Sequence, residues 1–233
     1  MTTVITPVIL CGGRGTRLWP RSRPERPKPF LDLIGTETLF KEAVERCRQA
    51  GFEKPLIVTG TAHVDLVHQH VSMDDVAGVI VEPEPRQTAA AVALAALQLP
   101  KERIILVCPS DHHIGDNESF ALAARTAAAF ASEGSLVCLS VPPTSPETRF
   151  GYVQLGKPLG PAAYRVEKFH EKPDRETAEI YLRSQQFAWN AGIFAFEAGG
   201  YLSELQRSRP QLAAAVGNSF ERGSANGGRF FPD

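Results

Sequence analysis

The N-terminal stretch VITPVILCGGRGTRLWP (residues 4–20) changes abruptly from an apolar, β-branched run into a glycine-rich loop at Gly12. The run at 4–11 is continuously apolar instead of alternating, which is typical of a strand whose two faces are both covered by helices. Similar short runs recur farther along the chain, at residues 56–59, 79–81, 104–108 and 136–141. We therefore expect these runs to be strands of one largely buried sheet.

Segments with a helical pattern separate these runs. Each is long enough for a helix and poor in Gly and Pro; they lie at residues 39–49, 62–71, 88–97 and 120–131. Strands that alternate with helices of this length indicate βαβ units. The sequence thus predicts an α/β, Rossmann-like fold with a doubly wound, mostly parallel (mixed) sheet.

The composition of the chain changes after about residue 142, where Pro, Thr and Gly become dense. Beyond residue 161 we expect two strands and two helices, at 164–169, 175–184, 189–196 and 201–207 in chain order. This pattern divides the chain into a first half at about 1–141 and a second half at about 142–216. The Gly-, Ser- and Asn-rich residues 217–233 are predicted to form a loop.

The overall charge is close to neutral, with 25 Lys and Arg against 26 Asp and Glu, which indicates neither a polyanion nor an anionic membrane as partner. Hydrophobic residues at 43% and charged residues at 22% argue against disorder. The four cysteines are widely spaced, and we find no targeting or membrane-spanning pattern. We expect a cytoplasmic protein with reduced thiols that binds neither nucleic acid nor membrane.

The glycine-rich loop has the chemistry of a phosphate cradle. Gly12, Gly13 and Gly15 follow directly after a predicted strand, and glycines at this spacing let backbone N–H groups approach a phosphate closely. Two common cradles do not match. Leu18 stands where a dinucleotide-binding loop has its third glycine, and no G-K-[ST] completes a Walker loop.

Positive charge is concentrated just after these glycines. Between residues 14 and 28 a single acid, Glu25, is accompanied by six basic residues, Arg14, Arg17, Arg21, Arg23, Arg26 and Lys28. A solvated basic loop is the alternative interpretation. The prolines on both sides of Lys28 restrict the backbone, however, and together with Trp19 they argue against a merely floppy loop and favour a polyphosphate site.

These motifs together resemble the signature of sugar-nucleotide pyrophosphorylases. The matching residues are Gly12-Gly13-x-Gly15-x-Arg17-Leu18-Trp19-Pro20 and Pro27-Lys28-Pro29-Phe30-Leu31. The Leu-Trp-Pro and Ser22-Arg23 variants are similar to the mannose-1-phosphate guanylyltransferase branch. Further matches follow in family order, at Glu82-Pro83, Arg86, Thr88, Pro109-Ser110-Asp111-His112, Gly151-Tyr152, Glu171-Lys172-Pro173 and Trp189-Asn190-Ala191-Gly192.

The resemblance implies a nucleotide-diphospho-sugar transferase fold and an Mg²⁺-assisted nucleotidyltransferase reaction. GTP and α-D-mannose 1-phosphate would give GDP-mannose and pyrophosphate, in polysaccharide biosynthesis. Residues 1–216 would form the nucleotidyltransferase domain, with a nucleotide-binding and a sugar-binding half, and a homo-oligomer is possible. Arg17 and Lys28 would be catalytic, and Asp111 would bind Mg²⁺. The implied substrate-binding residues are Leu10, Gly12, Gly13, Gly15, Arg86, Thr88, Ser110, Gly151, Glu171, Lys172, Asn190 and Gly192.

The position of Asp111 agrees with this implied role. It follows the run at 104–108, and open α/β sheets bind ligands at the carboxyl ends of their strands. Taken alone, an Asp at such a place is more often a turn or cap residue. We expect structural roles for His112 and His113, and surface or packing roles for His63, His68 and His70.

Some positions depart from the family pattern. Gln87 stands where Asn is common, and Arg149-Phe150 stands where Gly-Tyr is common. Three alternatives therefore stay open: a pyrophosphorylase for another nucleotide or hexose 1-phosphate, a glycosyltransferase, and a non-catalytic module that binds sugar nucleotides. Family members also continue into a segment with a second metal-binding Asp, so we expect the natural chain to continue past Asp233.

Overall fold

Strands and helices alternate along the chain in the computed structural model, which describes residues 3–13, 18–84 and 88–233 apart from the side chain of Gln49. The strands are β1 (Ile5–Cys11), β2 (Leu56–Gly60), β3 (Gly78–Glu82), β4 (Ile104–Pro109), β5 (Val137–Val141), β6 (Gly151–Gly160), β7 (Ala163–Glu171), β8 (Phe187–Glu197), β9 (Ser224–Asn226) and β10 (Arg229–Phe231). The helices are α1 (Leu39–Gln49), α2 (Val64–His70), α3 (Thr88–Leu97), α4 (Asn117–Ser132), α5 (Arg175–Ser184), α6 (Ala198–Ser208) and α7 (Pro210–Arg222).

Two compact units divide the chain. The first comprises Met1–Val137 and Phe194–Asp233, and the second comprises Cys138–Ile193. In the first unit the strand order is β8-β4-β1-β2-β3-β10-β9. Strands β1 to β4 and β10 pair in parallel, whereas the β4–β8 and β9–β10 pairs are antiparallel. The predicted mostly parallel, mixed α/β sheet is confirmed.

Helices cover both faces of this sheet, which explains why the strands are continuously apolar. One face carries Val8, Val58, Ile80 and Ile105, which pack in a single cluster with side chains of α3, α6 and α7. Helices α1 and α4 contact β1 and β4 respectively, and they also contact each other. Because successive side chains of a strand point to opposite faces, α1 and α4 cover the other face.

The carboxyl ends of β1 and β4 lie side by side, since the two strands pair in parallel with Leu10 opposite Pro109. The backbone N–H of Ser110 donates to the carbonyl of Leu10 at 3.2 Å, which continues the pairing past the end of β4. The residues that follow each strand therefore emerge at the same edge of the sheet. These residues are the glycine loop and the loop that begins at Asp111.

The second unit is an antiparallel sheet with one helix. Strand β6 pairs with both β7 and β8, and β5 also pairs with β8. Tyr152 of β6 is fully buried, its ring lies 5.3 Å from that of Tyr181 on α5, and Tyr181 stacks on Phe187 at 3.8 Å. These aromatic contacts hold α5 on the sheet of this unit.

The structure corrects the prediction of a loop at 217–233. Helix α7 continues to Arg222, and β9 and β10 form a hairpin whose second strand pairs with β3. Of the four glycines that favoured a loop, Gly217 lies within α7 and Gly223 ends it, and only Gly227 and Gly228, both with positive φ, form the hairpin turn. The Phe220 and Phe230 rings, 5.0 Å apart, pack helix and hairpin together.

One predicted boundary was wrong, and one strand was not predicted. Residues 194–216 belong to the first unit, because the end of β8 pairs with β4 and because α6 and α7 pack on α3. Strand β6 was not predicted, since its sequence GYVQLGKPLG contains three glycines and a proline, which are rare inside strands. Its pairing with β7 accordingly contains three register shifts.

Candidate functional site

The glycine loop begins at an open edge of the first unit. Gly13 has φ +104, a conformation that residues with a side chain rarely adopt, and a Cβ added at Gly12 or Gly13 would meet no atom within 4 Å. The backbone here is accessible to a ligand from outside. Leu10 is half-buried just before the loop, within the apolar cluster of the first unit.

Lys28 and Asp111 form the charged centre of this edge. The Lys28 ammonium donates to Oδ2 of Asp111 at 3.0 Å and to the Asp111 backbone carbonyl at 3.0 Å. Both side chains keep access to solvent, with 34% of the Lys28 and 38% of the Asp111 side chain exposed. Because both groups remain accessible, they can give up their contact with each other. The ammonium can then contact a phosphate, and the carboxylate can contact the cation that accompanies that phosphate.

Buried neighbours position Lys28. It opens a short 3-10 turn, Lys28–Phe30, in which Pro29 and Phe30 are buried. The Phe30 ring packs against Phe40 of α1, with centroids 5.4 Å apart, and against His63 and His70. The packing role expected for these two histidines is confirmed.

The donor set fits a Mg²⁺ ion delivered with a nucleotide. Mg²⁺ is usually held by one or two carboxylates together with substrate phosphates and water. Asp111 offers such a carboxylate, whose Oδ2 contacts Lys28 and whose Oδ1 lies 4.0 Å from Nε2 of His112. Among the described residues no three His, Cys, Asp or Glu side chains gather around a common point, so no cage made only of protein ligands is found there.

Ser110 is buried between β1 and β4. Its side chain forms a hydrogen bond with Cys11, and burial raises the pKa of the Cys11 thiol to about 12. The Cys11 backbone carbonyl in turn accepts a hydrogen bond from Thr59 Oγ1 at 3.0 Å. These contacts give the Ser110 side chain a packing role, while the substrate-binding role predicted for Ser110 stays a prediction.

Two residues that sequence analysis missed hold the loop after β4, and both come from α1. Nη2 of Arg46 donates to the backbone carbonyl of His112 at 3.0 Å, and Oε2 of Glu42 lies 3.0 Å from Nδ1 of His113. Burial lowers the pKa of the Arg46 guanidinium, and burial also lowers the pKa of His112. The position of Arg46 on the apolar face of an amphipathic helix could have indicated that its side chain is buried, although not which group it contacts.

A second cluster of predicted residues lies in the second unit. Gly151 of β6 stands opposite Glu171 of β7, and a Cβ at Gly151 would lie 2.9 Å from Oε2 of Glu171 and 3.8 Å from Cβ of Asn190. The Asn190 side chain accepts a hydrogen bond from the backbone N–H of Gly192 at 3.0 Å. Gly151, Glu171, Asn190 and Gly192 are thus neighbours, as a sugar pocket requires.

Lys172 extends this cluster. Its ammonium contacts Oε1 of Glu171 at 2.7 Å, and its backbone adopts φ +45, which is unusual for a residue with a side chain. A backbone hydrogen bond to the carbonyl of Phe150, at 3.2 Å, holds this conformation. Strained backbone of this kind often marks a functional position.

The remaining predicted residues are placed only in part. Thr88 is exposed at the first residue of α3. Gly15, Arg17 and Arg86 lie outside the residues that the structure describes, as does Gln87. Their predicted roles stay predictions. Within the described part of the chain, no helix is both long and apolar enough to cross a membrane.

The model of the Nucleotidyl transferase family matches residues 6–233 of the chain. The chain belongs to the nucleotidyl transferase family. This nucleotidyl transferase is 39% identical over 224 residues to the xanthan biosynthesis protein XanB of Xanthomonas campestris pv. campestris, an alignment that covers 94% of the chain and 48% of that protein. It is 40% identical over 220 residues to a mannose-1-phosphate guanylyltransferase of Klebsiella pneumoniae, covering 91% of the chain and 47% of that protein.

A solved structure shares the fold of the chain. A protein of Thermus thermophilus described as a mannose-1-phosphate geranyltransferase superposes on this nucleotidyl transferase with a TM-score of 0.85 and 34% sequence identity, covering 96% of the chain and 66% of that protein. The chain spans about half the length of the curated relatives it matches.

Proposed function

We propose that this nucleotidyl transferase makes GDP-mannose and pyrophosphate from GTP and α-D-mannose 1-phosphate. The observation that carries the proposal is the contact between Lys28 and Asp111 at the edge of the sheet where the glycine loop begins. A cation, a carboxylate able to bind Mg²⁺ and an accessible glycine backbone are the groups that a nucleoside triphosphate requires. The Klebsiella relative, named as a mannose-1-phosphate guanylyltransferase, supports the choice of substrates.

The proposed reaction needs no activated Ser, Cys or His. A phosphate monoester is already a nucleophile at neutral pH, so catalysis reduces to alignment and charge neutralisation. An oxygen of mannose 1-phosphate forms a bond to the α-phosphorus of GTP, while the bond from that phosphorus to the bridging oxygen of the pyrophosphate breaks. The pyrophosphate leaves with the bonding electron pair.

Each group of the first unit then has a defined task. The backbone N–H groups at Gly12, Gly13 and Gly15 bind the triphosphate. Arg17 offsets the charge that develops on the leaving pyrophosphate, and the Lys28 ammonium neutralises the α-phosphoryl group or the incoming sugar phosphate. Leu10, Arg86, Thr88 and Ser110 are proposed to line the nucleotide site.

Asp111 is the residue proposed to hold Mg²⁺. When bound, the ion supplies positive charge to phosphate oxygens. The Lys28 ammonium also contacts this carboxylate, with 3.0 Å between Nζ and Oδ2, so it lies close to any phosphate that approaches Asp111. The second-unit cluster provides the sugar contacts: Glu171 accepts hydrogen bonds from hydroxyls, and Asn190 accepts hydrogen bonds from them or donates to them. Lys172 approaches the sugar phosphate, and Gly151 and Gly192 leave room for the ring.

Release of pyrophosphate tests the proposal directly. The purified chain is incubated with Mg²⁺, each of GTP, ATP, CTP and UTP, and either mannose 1-phosphate or glucose 1-phosphate. The pair of GTP and mannose 1-phosphate is expected to give the highest rate, and Lys28→Ala serves as the inactive control. Equal rates with all four nucleotides would remove the guanylyl specificity, and no release with any pair would remove the proposed reaction.

A further inference from the structure

The loop that follows β4 is held in place by polar contacts from three different side chains to three consecutive residues. Lys28 contacts Asp111, Arg46 donates to the carbonyl of His112, and Glu42 contacts the ring of His113. Glu42 and Arg46 lie four residues apart, so they stand one turn apart on the same side of α1. Two of the three side chains that hold the loop thus come from a single helix, α1.

Arg46 is an unusual residue to find in this place. Only 3% of it is exposed, and its guanidinium lies 5.5 Å above the ring of Phe120 on α4. Its Nε has no hydrogen-bond partner in the part of the chain that the structure describes. A buried cation with an unsatisfied donor costs stability, and an apolar side chain of similar size would fill the space more favourably.

The hydrogen bond to the carbonyl of His112 offers a reason for keeping a charged side chain at this buried position. It fixes the backbone one residue after Asp111, and the Glu42 contact fixes the next residue. Mg²⁺ demands nearly ideal octahedral geometry, so the direction in which a ligating carboxylate points affects how well the ion is held. Groups that orient a metal ligand typically contribute about 10- to 100-fold to metal affinity.

We propose that Glu42 and Arg46 are positioning residues that orient the Asp111 carboxylate toward the divalent cation of a bound nucleotide. The proposal rests on the proposed function, since it assumes that a metal–nucleotide complex binds at this edge. Neither residue touches the substrate, and both act through the backbone of residues 111–113.

The test compares Arg46→Met with Arg48→Met. The second variant is the matched control, because Arg48 lies on the same helix but its side chain is exposed and paired with Glu45. Calorimetry measures the affinity for GTP once with Mn²⁺ and once with EDTA, and thermal unfolding is followed for each protein. The ratio of the two affinities isolates the contribution of the metal from that of nucleotide contacts.

We expect Arg46→Met to lower the metal-dependent gain in affinity by about 10-fold while the affinity in EDTA stays within about 2-fold of the parent. Its unfolding temperature is expected to be unchanged or higher, since the variant removes a buried charge. Arg48→Met should behave like the parent. An unchanged metal-dependent gain in Arg46→Met would overturn the proposal, as would equal losses with Mn²⁺ and with EDTA.

A double-mutant cycle that combines Arg46→Met with Asp111→Asn tests whether Arg46 acts through Asp111. In that background the metal-dependent gain is already lost, and adding Arg46→Met should lower it no further. A further loss of about 10-fold would place the action of Arg46 elsewhere and overturn the proposal. If Arg46→Met does not fold, Glu42→Ala takes its place with an expected loss of about 3-fold, and no loss there would equally overturn it.

Failure of the proposed function gives a different result. In that case the parent itself does not bind GTP under either condition. A parent that binds GTP more tightly with Mn²⁺, beside an Arg46→Met variant with the same gain, refutes only the role of the two α1 residues.

Discussion

Two lysine–carboxylate pairs, one in each unit, have similar distances between their charged atoms but differ in solvent exposure and in the structure that supports them. Lys28 and Asp111 are 3.0 Å apart with 34% and 38% of their side chains exposed, whereas Lys172 and Glu171 are 2.7 Å apart with 62% and 70% exposed. Water screens the second pair far more strongly, so its shorter distance does not make it the stronger interaction. Distance alone therefore does not rank the two pairs.

The two pairs also differ in the secondary structure that positions their residues. Lys28 stands on a turn whose next two residues are buried, and Asp111 follows the buried strand β4. Glu171 instead is the last residue of β7, most of whose residues are exposed, and Lys172 follows it and is held by its own backbone conformation. The first pair depends on the core, while the second depends on local geometry.

The largest effect should come from removing the support of Lys28. Phe30 is fully buried, so Phe30→Ala is expected to lower the free energy of unfolding by about 3–5 kcal/mol. The matched variant Phe169→Ala in β7, where 52% of the residue is exposed, should cost less than about 1 kcal/mol. Urea unfolding of both variants measures the difference, and similar costs would show that the two pairs are supported alike.

The second effect concerns turnover. Lys28→Ala is expected to lower the rate of pyrophosphate release about 100-fold or more, because a cation beside developing phosphate charge is lost, and Arg17→Ala should behave in the same way. Lys54→Ala is the control, since Lys54 is an exposed lysine in the loop before β2. Near-normal turnover in the Lys28 and Arg17 variants would show that neither residue acts on the phosphates.

The third effect is a change in sugar affinity alone. Gly151→Ala places a Cβ 2.9 Å from Oε2 of Glu171, and this exposed carboxylate can move aside at little cost in stability. We expect KM for mannose 1-phosphate to rise about 10-fold, with KM for GTP unchanged. Gly160→Ala at the far end of β6 is the control, because a Cβ there meets nothing within 4 Å. Equal changes in both KM values would contradict the assignment of this cluster to the sugar.

The smallest effect tests how weak exposed pairs in the second unit are. Hydrogen bonds from Arg149 lower the pKa of Glu147 to about 2. A lowered carboxyl pKa stabilises the fold above the ordinary value of 4.5, and this contribution disappears as the pH falls through 4.5 toward 2. Arg149→Ala should therefore lower the unfolding temperature at pH 6 by only about 1 °C, and by less at pH 3.

NMR titration of the Glu147 carboxyl checks the cause of this effect. Its pKa should return toward the ordinary value in Arg149→Ala and stay low in the control Arg165→Ala. A drop of several degrees at pH 6 would mean that exposed pairs in this unit are stronger than their exposure indicates.

Strands β1 to β4 and helices α1 and α3 of the first unit were predictable because their pattern is local. Each buried strand is a continuous apolar run, and the boundaries of α1 and α3 follow from the sequence alone. Lys28 and Asp111 were predicted as separate site residues by resemblance, and their contact across 83 positions follows only from the parallel pairing of β1 with β4.

The parts that were missed depend on partners distant in sequence. Strand β6 tolerates its glycines and proline because β7 and β8 flank it, and β10 exists as a strand because β3 offers an edge. The role of Arg46 needs the carbonyl of His112, which no pattern on α1 can reveal. Tertiary contacts, instead of local propensity, determine these features.

The pairing of β10 with β3 sets an order of events during synthesis. Arg229 pairs with Val79, so at a translation rate of about 5–20 residues per second the partner of β3 emerges from the ribosome roughly 8–30 s after it. For that interval the nascent chain carries an apolar strand edge with no neighbour on one side, and such edges recruit other chains. A cell that makes this protein therefore has a reason to shield the growing chain until the β9–β10 hairpin has docked.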